Sequence, residues 1–177
     1  MEREVRSVPY GYEEEKKTGA PRGTLVFYDT FEDESEVELT KAADLAERRA
    51  FAKLVLYPLH EETAKRMYRR SIEPYYRREE RLFAWKRERS DGRITVETWE
   101  GKRKKYTPIE AALRHLSDVY PAPLFLYVTP ETANAFASFS TFEEWIAKLR
   151  LVLTDAPNAP HPKLEKYRHR WDVARDS

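Results

Sequence analysis

Three short apolar runs stand out from a polar chain: TLVFYD at 24–29, LVLYPL at 54–59 and LFLYV at 124–128. Each lacks polar alternation, as strands do when a sheet is covered on both faces. Each is followed by a helix signal. After the first, Ser35 with Glu38 three positions on forms a capping box, predicting a helix through Ala52 with Leu39, Ala42, Ala43, Ala46 and Ala50 at helical spacing. After the second, HEETAKRMYRR predicts a helix whose early Glu61 and Glu62 and late Arg66, Arg69 and Arg70 complement the helix dipole, ending by about Ser71 ahead of Pro74. After the third, Thr129 and Pro130 form a cap-proline pair leading into ETANAFA.

Two further helices are expected. Thr107, Pro108 and Glu110 supply a cap, a first-turn proline and a capping-box carboxylate ahead of Ile109, Ala112, Leu113 and Leu116. The last begins at Ser140 or Thr141 and runs through WIAKLRLVL, with Trp145, Ile146, Leu149 and Leu153 on one stripe.

Residues 75–89, YYRREERLFAWKRER, show neither a clear helical period nor clean alternation. Asp91-Gly92 is a hairpin signal, RITVETW is rich in β-branched residues, and Glu100-Gly101 makes another tight turn. The simplest reading is an antiparallel meander over about 82–106, with a helix at 75–88 as the alternative. The predicted class is therefore α/β: a mixed, largely parallel sheet covered by helices, with that meander extending it or forming a flap. Residues 1–23, rich in turns and charge, are expected to form a loose arm, 24–154 a single domain, and 155–177 an extended tail with Tyr167 and Trp171 available to dock it.

At 177 residues, with 41% hydrophobic and 36% charged, the chain suits one core. No stretch approaches the roughly 18 apolar residues of a membrane helix, and the opening lacks the apolar centre of a secretory signal, so a cytoplasmic protein is expected. With no cysteine, disulfides, thiolate-metal sites and cysteine nucleophiles are excluded. The net charge of +1 conceals segregation: 9 basic and 15 acidic residues in 1–64, then 15 basic and 7 acidic in 65–106. Such asymmetry either pairs internally or marks a surface for an anionic partner.

If the three apolar strands run side by side and parallel, their carboxyl ends share one edge, where α/β proteins bind ligands. That edge would gather Asp29, Thr30 and Asp33, then His60, Glu61 and Thr63, then Thr129, Glu131 and Thr132. A carboxylate, an imidazole and helix-end amides in one cleft suit acid-base work, a metal or a phosphate. Of these, Asp29, His60, Glu61, Thr129 and Thr132 are the candidate ligand-binding residues. Local readings compete: Thr129 as a plain helix cap, and Asp29 as a strand-ending turn residue. None of the four histidines shows metal-site spacing, and no metal or particular cofactor is expected.

The segment YPLHEETAKRM resembles the strand-to-helix turn of nucleotidyltransferases of the HxGH class, in which a proline precedes the first histidine by two. Pro58 and His60 match. Glu62 stands where that family has glycine and Thr63 where it has the second histidine, and the segment follows the second strand rather than the first. DTFED resembles the aspartate loop of haloacid-dehalogenase-like phosphatases, except that Phe31 replaces the second aspartate. No GxGxxG, GxxxxGK[ST] or GxSxG motif occurs.

The functional expectation is a ligand site for a nucleotide or another phosphorylated small molecule at Asp29, His60 and Thr129. The alternative is a non-catalytic interaction module whose basic and aromatic surface over 65–105, including Arg77, Arg78, Arg81, Trp85 and Arg87, binds nucleic acid or an acidic protein. Overall charge near zero and a sequence pI of about 7.9 weigh against the nucleic-acid version. A structural subunit of an assembly is a third possibility.

Overall fold

The structure, a computed structural model, describes residues 22–32 and 35–174. The expected arm at 1–23 therefore lies almost wholly outside the described residues, as does Asp33. Six strands form one sheet: β1 (Thr24–Asp29), β2 (Lys53–Pro58), β3 (Ile94–Val96), β4 (Leu124–Val128), β5 (Arg150–Leu153) and β6 (Trp171–Val173). Their order is β3-β2-β1-β4-β5-β6, and every neighbouring pair is parallel. The three apolar runs are thus adjacent and co-directional, with Leu25 opposite Leu54 on one side and Phe125 on the other.

Among the described residues, eight helices cover the sheet: α1 (Ser35–Arg48), α2 (Glu61–Tyr68), α3 (Tyr75–Arg89), α4 (Trp99–Arg103), α5 (Ile109–Val119), α6 (Pro130–Ala137), α7 (Phe142–Ile146) and α8 (Pro162–Lys166). Alternate side chains of each strand serve opposite faces. On one face, Leu25, Phe27, Leu54 and Leu56 pack with α1 and α3, and the alanines of α1 let it lie close. On the other, Val26, Tyr28, Val55 and Tyr57 pack with α5, α6, α7 and Leu164 of α8.

The antiparallel meander is not present. Residues 75–89 form the long helix α3, which buries Tyr75, Arg78, Leu82 and Trp85. These positions do follow a helical stripe, but an arginine occupies one of them, and that hides the period. At Asp91-Gly92 the chain passes not from strand to strand but from α3, through a left-handed Ser90 cap, into β3. Only three residues of the β-branched run pair, and they pair parallel to β2.

Other boundaries differ in the same way. The last predicted helix stops at Ile146, and Arg150–Leu153 becomes a strand between β4 and β6. The expected extended tail instead carries α8, a short 3-10 turn (Arg168–Arg170) and β6. It is held by the Trp171 indole donating to the Leu164 carbonyl at 2.8 Å and by Arg170 donating to the carbonyls of Ile146 and Leu149. Thr107 does not cap α5: its amide donates to the Thr63 hydroxyl at 2.9 Å, while its own hydroxyl donates to Lys105 and accepts from Arg103.

Candidate functional site

The chain leaves β1 toward β2 and leaves β4 toward β5, so the order reverses between two adjacent parallel strands. The carboxyl edge at such a reversal is the usual ligand position in doubly wound sheets. Asp29 ends β1 there. Its carboxylate accepts the Phe31 amide at 3.1 Å, closing a tight local turn. Phe31 takes a left-handed φ of 59°, unusual for a bulky side chain, yet its ring is buried edge-on to Phe27. Packing of that ring holds the turn in its strained form. Desolvation is the main influence on Asp29 and raises its pKa to about 6; the amides of Phe31 and Thr30 oppose the shift, as does the charge of Arg70.

Thr129 ends the β4 side and caps α6 as expected, its hydroxyl accepting the Thr132 amide at 3.2 Å. The Thr132 hydroxyl is buried and shares a 2.5 Å hydrogen bond with Tyr68 from the end of α2. Beside it, Arg70 pairs with Glu131 at 3.3 Å. The C-terminal end of α2 therefore crosses to the start of α6, placing a phenol and a guanidinium near Asp29. Tyr68 is held well above the ordinary tyrosine range, chiefly by burial.

His60 and Glu61 belong to a neighbouring cluster at the end of β2. His60 caps α2, with Nδ1 accepting the Glu62 amide at 3.1 Å. Its own amide donates to Glu100 of α4 at 2.8 Å, and Glu100 also accepts the hydroxyls of Tyr57 and Thr63 at 2.7 and 2.8 Å. A carboxylate forty positions away thus does what the third helical residue does in a capping box. The amino end of α2, the turn that resembles the HxGH segment, is occupied by the protein's own groups. Burial of Glu100 raises its pKa to about 7, against the lowering effect of its three donors.

Glu61 lies 3.8 Å from the His60 imidazole and 3.4 Å from the guanidinium of Arg78. Arg78 is fully buried, and donates to the carbonyls of Thr30 at 2.8 Å, Leu59 at 2.6 Å and Glu73 at 2.8 Å. It ties together the loops that leave β1 and β2. Two residues of the alternative basic surface are therefore interior, Arg78 and Trp85. Arg81 is paired with Glu73 at 2.6 Å, whereas Arg77 and Arg87 are exposed.

Asp29, Thr129 and Thr132 thus stand together at the carboxyl ends of the adjacent strands β1 and β4, while His60 and Glu61 lie in the neighbouring cluster at the end of β2. Tyr68, Arg70 and Glu100 escaped sequence reasoning. Arg70 reads as ordinary dipole complementation and Tyr68 as one of the aromatics interleaved with the basic stretch, and nothing local marks Glu100 as buried. A cavity of about 300 Å³ lies at the opposite edge, beside Leu124 at the start of β4, and none of these residues lines it. Among the described residues no cluster of three or more His, Cys, Asp or Glu is arranged to hold a metal, and no helix is long and apolar enough to cross a membrane. No protein-family model matches the chain, and no curated protein matches it.

Proposed function

We propose that the crevice between the carboxyl ends of β1 and β4 binds a nucleotide or another phosphorylated small molecule. The observation carrying this reading is the reversal of strand order beside Asp29, a desolvated carboxylate in a strained turn. Asp29 is suited to accept from a sugar hydroxyl or an amino group. Arg70 and the positive amino end of α6, where the Glu131 amide follows Pro130, are suited to a phosphate. With five glycines in the whole chain and no glycine-rich loop, phosphate contacts must come from side chains and that helix end rather than from a backbone cradle. His60 and Glu61 act from behind, by fixing α2.

A thermal-shift series with nucleoside mono-, di- and triphosphates and sugar phosphates tests this. A ligand at about 100 times its dissociation constant adds about 2.7 kcal/mol, which for a domain of this size raises Tm by roughly 5–10 °C. Asp29→Asn and Arg70→Glu should remove the rise. His60→Ala should lower the basal Tm through loss of a cap worth about 1 kcal/mol yet keep the ligand-dependent rise. No shift with any compound, or a rise unaffected by Asp29→Asn and Arg70→Glu, rejects the crevice.

A further inference from the structure

We infer that the outward face formed by α2 and the 102–106 segment binds a nucleic-acid strand through its phosphates, independently of the crevice. Lys65, Arg66, Arg69, Lys102, Lys104 and Lys105 are all exposed. Although up to forty positions apart in sequence, they belong to two pieces of chain joined at several points. Thr63 of α2 donates to Glu100 of α4 at 2.8 Å and accepts the Thr107 amide at 2.9 Å. On the outside, the Arg66 guanidinium lies 4.3 Å over the Tyr106 ring. The cations are thus carried on one rigid support.

Neutralisation is slight at this face. Glu62 reaches Lys65 at 3.5 Å, and the only carboxylate of α4, Glu100, is turned into the interior. Among the described residues, Arg69, Lys102, Lys104 and Lys105 have no carboxylate partner. Several arginines of α3 and the loop after it behave differently: Arg81 is paired with Glu73, Arg89 with Asp44 and Arg93 with Asp91, and Arg78 is buried, which leaves Arg77 and Arg87 exposed on α3. Folding therefore gathers part of the long basic stretch onto α2 and the 102–106 segment, apart from the exposed Arg77 and Arg87 of α3.

The nature of the patch selects its partner. A protein interface needs apolar anchors at its centre, and a membrane surface site needs apolar side chains to insert. The exposed large hydrophobic residues among those described, Val37, Tyr76 and Val119, lie on α1, α3 and α5 instead. A phosphate backbone needs only closely set cations, with Tyr106 and its guanidinium offering a sequence-tolerant stacking surface.

The test is fluorescence anisotropy of the full chain with a labelled 20-nucleotide single strand, titrated at several salt concentrations. About five phosphate contacts imply a log–log salt slope of roughly −3 to −4 for a single strand. Reversing Arg69, Lys102, Lys104 and Lys105 to glutamate should weaken binding by more than about 30-fold at 50 mM salt and flatten the slope. If that variant fails to fold, alanine at Lys102, Lys104 and Lys105 serves, with a loss of about 10-fold. Arg77→Glu with Arg87→Glu, on α3, should change affinity less than about twofold. Absence of binding at 50 mM salt, a slope near zero, or an equal loss in the α3 variant overturns the proposal. So does equal competition by poly-glutamate or equal binding to phosphatidylserine vesicles.

Discussion

Arg78 shows how much a single side chain does at the carboxyl edge. A buried guanidinium is tolerated only where its donors are met, and here three carbonyls and the nearby Glu61 meet them. The same bonds fix the loops after β1 and β2, so this charge positions Thr30, and through it the turn containing Asp29. Arg78→Ala should destabilise the fold by about 3–5 kcal/mol, because the carbonyls are left unpaired in the interior. Arg78→Lys should recover little of this, since one ammonium cannot reach acceptors that a planar fork spans. Urea denaturation of the three proteins measures both effects; a loss below about 1 kcal/mol in Arg78→Ala would contradict the assigned role.

At the scale of elements, α2 and α4 matter beyond their length. Neither has the apolar face to fold alone, and α4 has five residues. They are held by polar bonds through Glu100 and by a close approach of α4 to α3. A Cβ added at Gly101 would stand 2.4 Å from Cε1 of Tyr75, whose residue is buried against it. Gly101→Ala must displace the Tyr75 ring or the helix, and should cost about 1–3 kcal/mol. Gly92→Ala, where an added Cβ meets nothing within 4 Å, is the matched control. Comparable thermal unfolding of the two variants would show that the α3–α4 contact is loose.

The elements also show where sequence reasoning reached and where it stopped. The start of α6 was legible because Thr129 is adjacent to the amide it serves, and that of α2 because Glu61 and Glu62 stand in its first turn, whereas the capping role of His60 emerges only in the fold. The helix α3 was obscured because its buried stripe includes Arg78, whose acceptors lie on two distant loops. Strand β5 was read as the end of a helix because Leu149 and Leu153 fit that period; pairing with β4 and β6 on both sides decided otherwise. Of the candidate site, Asp29, Thr129 and Thr132 were visible as strand-end and cap residues. Tyr68 and Arg70 come to the site only through the crossing of α2, and Glu100 reaches the adjoining cluster only through the docking of α4, neither of which a local pattern encodes.

At the scale of the whole molecule, two buried carboxyls set a pH dependence. The pKa of Asp29 rises from 3.8 to about 6 and that of Glu100 from 4.5 to about 7. In the unfolded chain both ionise at the lower values, so between these limits the folded state binds more protons. Their contribution to stability is complete below about pH 4 and is lost as pH rises through 6 and 7. Glu73, Asp91 and Glu143 are shifted downward by their cationic partners and act on the acid side of this window. Stability should therefore fall from pH 5 to pH 8 by on the order of 4 kcal/mol, differential protonation spanning roughly one pH unit for Asp29 and roughly two for Glu100, each unit worth about 1.4 kcal/mol. Asp29→Asn and Glu100→Gln should each flatten the profile. A stability that is level or rising across that range in the parent protein would show that these carboxyls ionise normally.

The identity of three central strands, their apolar cover on both faces and the local signals that start two helices were determined by the sequence alone, because each depends on residues within a few positions of one another. The order of the sheet, the parallel fifth and sixth strands, the inward turn of Arg78 and Glu100, and the gathering of scattered cations on α2 and the 102–106 segment were decided by the tertiary structure. These depend on which distant backbone acceptors and strand edges become available once the chain is compact. A charged residue in isolation carries the same signal whether it will face water or an interior carbonyl, and only the fold supplies that partner.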